Sequence, residues 1–132
     1  MHVLLQVGLV ALGSAVGGLL RWGLSVGFGH TFGTTFPWGT LFINVSGSLF
    51  LGWFTTLLGE RLVNGLGWLR VDDLRLLMAI GFTGAYTTFS TYEFEAYALF
   101  RDGDGLEGLT YTIGSVVLGL VAVWLGVRLA KW

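Results

Sequence analysis

The sequence predicts an all-α integral membrane protein, and three observations carry that reading. Hydrophobic types make up 54% of the 132 residues and charged types only 11%, against about a quarter in an ordinary soluble domain. The charges gather in short breaks between long uncharged runs. Those runs are continuously apolar, whereas the strands of a membrane barrel alternate. A helical crossing needs about 20 residues, so the length holds four transmembrane helices with short connections. That makes 1–132 a single four-span membrane domain, with no room for a further one.

The same composition removes other classes. Seven Lys+Arg against eight Asp+Glu leave a net charge of -1, with no basic patch for nucleic acid. No Cys is present, so there is no disulfide framework or thiolate metal site. A mean hydropathy of +0.75 leaves too little polar surface for a soluble enzyme. There is no nucleotide-binding loop and no His/Asp/Glu metal cluster.

Charge placement sets each span in turn. Residues 1–20 carry no Asp, Glu, Lys or Arg; Arg21 follows, and 22–59 are again free of them. The second stretch is too long for one crossing and is broken by GHTFGTTFPWG (Gly29 to Gly39), which holds the only Pro, Pro37. Span one is therefore about 3–27 and span two about 38–59. Only His2 precedes the first apolar run, which is also longer than the core of a signal peptide, so it reads as a retained span. Glu60, Arg61, Arg70, Asp72, Asp73 and Arg75 mark a polar connection, and span three covers about 74–99. RDGDGLEG (Arg101 to Gly108) forms a short loop before span four, about 108–128, which ends at Arg128 and Lys131. Both termini then share a side with the 60–75 connection and most of the basic residues. The positive-inside rule leans towards cytoplasmic termini, by a bias small enough to allow insertion in both orientations.

Many of the 22 Gly lie inside the spans. Small residues let helix backbones approach closely in a bilayer. Ala11/Ala15, Gly13/Gly17 and Ser14/Gly18 repeat at four-residue spacing; span two has Gly47 and Gly52; Ser115, Gly119, Ala122 and Gly126 share a face of span four. The pattern predicts a compact bundle and a tight oligomer, but no chemistry.

Span three carries the chemistry. After LLMAIGF (Leu76 to Phe82) it becomes TGAYTTFSTYEFE, in which Thr87, Thr88, Ser90 and Thr91 place four hydroxyls within five residues. Two readings fit. In one, the hydroxyls bond back to carbonyls a turn earlier and bend the helix mildly. In the other, the helix breaks near mid-membrane, where freed backbone must be buried or find a ligand. Freed carbonyls suit a dehydrated cation, and a new helix N-terminus favours an anion. Phe89 and Tyr92 share a helix face; aromatic rings have positive edges, which can favour a small anion, although plain packing explains them as well. Asn44, the only amide of span two, needs a partner helix or a polar pathway. Arg21 either snorkels to the interface or lines a vestibule. Glu93 and Glu95 read as lying at a solvated helix end or mouth.

GGLLRW (Gly17 to Trp22), GTLFINVSGSLFLG (Gly39 to Gly52), GFTGAYTTFSTY (Gly81 to Tyr92) and GSVVLGLVAVWLG (Gly114 to Gly126) resemble the Fluc/CrcB fluoride channels, in order and across all four spans. The resemblance implies a dual-topology homodimer of antiparallel subunits in the cell membrane, with two fluoride pathways. It implies a break in span three and a structural Na⁺ at the dimer interface, held by the backbone carbonyls of Gly84 and Thr87. The pore aromatics fall on Phe89 and Tyr92, and the pathway polar groups on Asn44, Thr91 and Ser115, with Ser90 a weaker candidate. Arg21 matches the arginine closing the first motif, as a vestibule or structural residue, and Glu95 matches an acidic position beyond the TTFST run. Tyr92 departs from the usual Phe; its hydroxyl can bind fluoride, or narrow or reroute the pathway. Ala85 stands where a second Gly is common.

The expected function is passive, fluoride-selective export from the cytoplasm, with the lipid bilayer and a second copy as partners. A paralogue is an alternative partner, in a heterodimer. Two other classes compete. A small dual-topology multidrug exporter would want a carboxylate in span one, where none occurs. A non-transporting membrane scaffold would leave the hydroxyl-rich segment unexplained.

Overall fold

The computed structural model describes residues 2–62, 64–66 and 68–132. Helix α1 is His2–Phe32 and α2 is Trp38–Glu60. Helix α3 covers 71–86: Val71–Leu74 is α-helical, Arg75–Thr83 winds as a π-helix, and Gly84–Tyr86 returns to α. Helix α4 is Phe89–Arg101 and α5 is Gly105–Ala130. Of these, α1, α2 and α5 are long and apolar enough to cross a membrane. Their outer faces carry large exposed apolar side chains, among them Leu4, Val16, Leu19, Trp22 and Leu120. In water such a surface would drive aggregation; in a bilayer it is the solvated face.

The first helix is longer than its apolar run suggests. It continues through Gly29 and His30 to Phe32, into the segment read from sequence as a breaker. Packing accounts for this: Phe28 stacks on Phe42 with ring centroids 5.1 Å apart, and a Cβ on Gly39 would lie 3.4 Å from both Ser25 and Phe28. The helix stops where Gly33 takes φ +78°, with its N–H on the Gly29 carbonyl at 3.1 Å. A residue without Cβ adopts that conformation at no steric cost.

Helix α3 opens with a one-way cap, in which the buried Asp73 carboxylate accepts from the Arg70 N–H at 3.1 Å. Its π stretch is a feature that hydropathy cannot encode. There Thr83 Oγ1 donates to the Met78 carbonyl five residues back, at 2.8 Å. π segments leave one turn wide and recur next to functional sites. Here the wide turn lies against α1, and within six residues of its end the helix breaks.

The bundle pairs α1 with α3 and α2 with α5, while α4 rests mainly on α5. Gly13 and Gly17 face the backbone of α3, and Gly52 and Gly126 sit where α2 and α5 cross. These glycines serve contacts within one chain. Lys131 Nζ lies 3.5 Å from Glu60 Oε1, and an Arg70 guanidinium nitrogen 3.4 Å from His2 Nδ1. Both termini therefore share an end of the bundle with the 60–75 connection.

Candidate functional site

The site grows out of the break between α3 and α4. Thr87 has ψ 160°, and Thr88 is extended at φ -150°, ψ 117°, so two residues leave the helical path and their backbone groups lose intrahelical partners. Each is met by something specific. Thr88 Oγ1 caps α4 by accepting the Thr91 N–H at 3.3 Å, and donates its own proton to Thr91 Oγ1 at 2.9 Å. Asn44 closes the rest: its Nδ2 donates to the Thr88 carbonyl at 2.9 Å, and its Oδ1 accepts the Thr88 N–H at 2.8 Å. One side-chain amide thus mimics a strand partner for one extended residue. Arg21 Nη1 reaches the Thr87 carbonyl at 3.4 Å, a structural contact and not a free snorkelling chain. The mild-bend reading keeps only the Thr87 hydroxyl, which does bond back to the Thr83 carbonyl at 2.9 Å.

Asn44, Thr87, Thr88, Phe89, Tyr92 and Ser115 line one cavity of about 380 Å³. Two of its donors can be read as free. A primary amide has two N–H groups, and Asn44 spends one on Thr88. The Ser115 hydroxyl is buried and has no partner among the described residues. Tyr92 is buried and donates its hydroxyl to the Thr112 carbonyl at 2.9 Å. Phe89, its ring 5.9 Å from that of Tyr92, is 74% exposed.

A second cavity, of about 540 Å³, opens at the loop end and is lined by Thr40, Thr91, Glu95, Asp102 and Asp104. Glu93 is exposed, but Glu95 is not free at a solvated end. Its Oε1 accepts from Thr40 at 2.9 Å and its Oε2 from the buried Tyr111 hydroxyl at 2.7 Å. Thr40 and Tyr111 were missed from sequence as partners. The usable signal was that a carboxylate in an apolar helix needs hydroxyl donors. Ser90 is exposed and lines neither cavity. Outside the spans, Arg101 bonds Asp102 at 2.7 Å and holds its carboxyl below the ordinary range.

The residues implied for a cation can be tested by their partners. In an unbroken helix the Thr88 N–H would bond the Gly84 carbonyl; here it is turned to Asn44, which frees that oxygen. Gly84 is exposed, and its open side meets no described atom within 4 Å. The Thr87 carbonyl shares its lone pairs with Arg21. One chain thus offers one free and one shared carbonyl oxygen, where a dehydrated cation takes a ring of them, so a cation here would need further ligands.

An apolar helical bundle with a satisfied helix break and a cavity lined by neutral polar and aromatic side chains is an integral membrane protein. Residues 8–127 match the family described as CrcB-like protein, Camphor Resistance (CrcB). The chain belongs to this family. It is 43% identical over 122 residues to a protein of Synechococcus sp. named "Fluoride-specific ion channel FluC", covering 92% of this chain and 89% of that one. Relatives of the same name in Chloroflexus aurantiacus and Solibacter usitatus are 40% and 44% identical over 123 residues, with 93% and 96% of their lengths covered.

Proposed function

We propose that the chain is a fluoride-selective channel of the cell membrane that lets F⁻ leave the cytoplasm passively. The observation that carries this reading is the cavity at the break. It offers a small anion the second Asn44 N–H, the unpartnered Ser115 hydroxyl and aromatic rings, with no Lys, Arg or His among its described lining residues. A strongly hydrated ion must have its water contacts replaced, and several weak sites permit exit as well as entry. HF crosses membranes, ionises inside and is trapped, and a negative-inside potential then drives F⁻ out. No energy source is required.

In this reading α3 and α4 together make the third crossing, span three. Thr91 carries the path into the mouth beside Glu95, with Ser90 a weaker contributor. The working unit is an antiparallel homodimer, supported by the 74% exposure of Phe89 and the open side of Gly84, both at the break. The freed carbonyls of Gly84 and Thr87, repeated by the second copy, would hold a structural Na⁺ that adds positive charge at the interface. Exchanging Na⁺ for N-methylglucamine is expected to lower the melting temperature of the purified dimer. An unchanged melting temperature and no bound Na⁺ by elemental analysis would remove the cation from this reading.

The main test is anion efflux from liposomes containing the purified protein. Fluoride is expected to leave at least about tenfold faster than chloride, a difference of about 1.4 kcal/mol in barrier. Equal rates, or none, would end the channel reading. Phe89→Ile is expected to stop fluoride efflux while leaving the dimer intact on gel filtration; unchanged efflux would place the path elsewhere.

A further inference from the structure

Phe89 and Tyr92 are neighbours on one helix face, yet the structure treats them differently. Phe89 is 74% exposed, whereas Tyr92 is 6% exposed and packed with Ala96, Leu99 and Tyr111. The Tyr92 ring lies 5.4 Å from the Tyr111 ring. Its hydroxyl crosses from α4 to α5 and ends on the Thr112 carbonyl at 2.9 Å. A phenol has one proton to give. While that bond stands, the hydroxyl cannot donate to an anion in the cavity that the Tyr92 ring lines.

We propose that Tyr92 is a positioning residue: its hydroxyl is a strut that fixes the spacing of the α4 and α5 walls of the pathway, and is not a fluoride ligand. This rests on the channel reading above. The half-helix α4 begins at a break and is the shortest segment bordering the cavity, so its placement depends on cross-links. Asn44 and the Thr88 cap hold its first turn. Glu95 is held by Thr40 and Tyr111 one turn beyond Tyr92. Tyr92 is the link from α4 to α5 among residues that line the cavity with Ser115, and so it sets how large an ion the walls admit. Thr112 lies inside α5, where a helical carbonyl keeps its own backbone donor. Removing the strut therefore leaves no orphaned group, and Tyr92→Phe keeps the ring and the fold.

The two roles make different predictions for Tyr92→Phe in liposomes. A strut predicts that chloride efflux rises and that the fluoride-over-chloride ratio falls roughly five- to tenfold for that reason, because the walls can part to pass the larger ion. A ligand predicts fluoride efflux falling tenfold or more with chloride efflux unmoved; that result would overturn the proposal. Unchanged efflux and unchanged ratio would overturn it too, leaving Tyr92 as packing alone. Wild-type liposomes run alongside separate the two levels. If they show no fluoride preference, the channel reading fails and the strut with it; if they do, the variant judges the strut alone.

Discussion

Asn44→Leu is expected to abolish fluoride efflux and to destabilise the protein in detergent. Both amide atoms of Asn44 are committed to the backbone of Thr88, at 2.8 and 2.9 Å. A leucine of similar size fills the space and leaves an N–H and a carbonyl without partners at a break that no helix can satisfy. Each stranded buried group costs about 1–3 kcal/mol, so for the two a loss of about 2–6 kcal/mol in unfolding free energy is expected. Interhelical hydrogen bonds in bilayers often measure nearer 0.6 kcal/mol, because the unfolded helices find other partners; Thr88 is not helical in this fold and has no such alternative. Efflux fails for a second reason, since the spare Asn44 N–H is one of the cavity's few free donors. Asn44→Asp weighs more on the path than on the clamp. It keeps an acceptor for the Thr88 N–H but faces the Thr88 carbonyl with an oxygen and adds a negative charge to an anion path. Its expected loss of efflux is therefore at least as complete. Wild-type melting and efflux in Asn44→Leu would show that the break is held by something else.

This clamp was half legible in the sequence. A lone amide in an apolar span must find a partner, and a hydroxyl run between Gly81 and Glu95 marks a helix in difficulty. What joins them is a contact between residues 44 apart, which no local pattern carries. The same limit hid the Thr40–Glu95–Tyr111 cluster, whose members are 55 and 16 residues from the carboxylate. Span positions were easier, because the cost of a charge in hydrocarbon prints them directly as uncharged runs. Helix α1 runs on past the span read from the sequence: Gly29 and His30 are poor helix formers in water, and packing of Phe28 on Phe42 overrides that propensity. The π stretch was invisible for a different reason: an evenly apolar segment has no polar face from which to read whether the turn holds 3.6 residues or more.

Gly17→Ala is expected to damage the channel as much as any change at the pathway itself, although Gly17 touches no cavity. A Cβ there would collide with the carbonyl oxygen of Phe82 and come within 3.1 Å of the Tyr86 nitrogen; at Gly13 it would meet the Leu77 carbonyl and, at 2.7 Å, the Phe82 nitrogen. All of these are backbone atoms of α3, so no side chain can swing aside and the helix as a whole must shift. Overpacking typically costs about 1–3 kcal/mol, and rigid neighbours place this site at the upper end. The shift also has a direction that matters. Phe82 and Tyr86 lead straight into Thr87 and Thr88, so pushing α3 away from α1 moves the break away from Arg21 and strains the bonds to Asn44. Gly18→Ala is the matched control, one residue along, where a Cβ meets no described atom within 4 Å. In water alanine is the better helix former by about 1 kcal/mol, so this variant is expected to melt at or above the wild-type temperature and conduct normally. The pair decides between two accounts of the glycines. If helix packing in general were the reason for them, the two substitutions would cost alike; if the α1–α3 contact is specific, only Gly17→Ala lowers both melting temperature and fluoride efflux. Equal behaviour of the two variants would remove the link drawn here between the glycine seam and the position of the break.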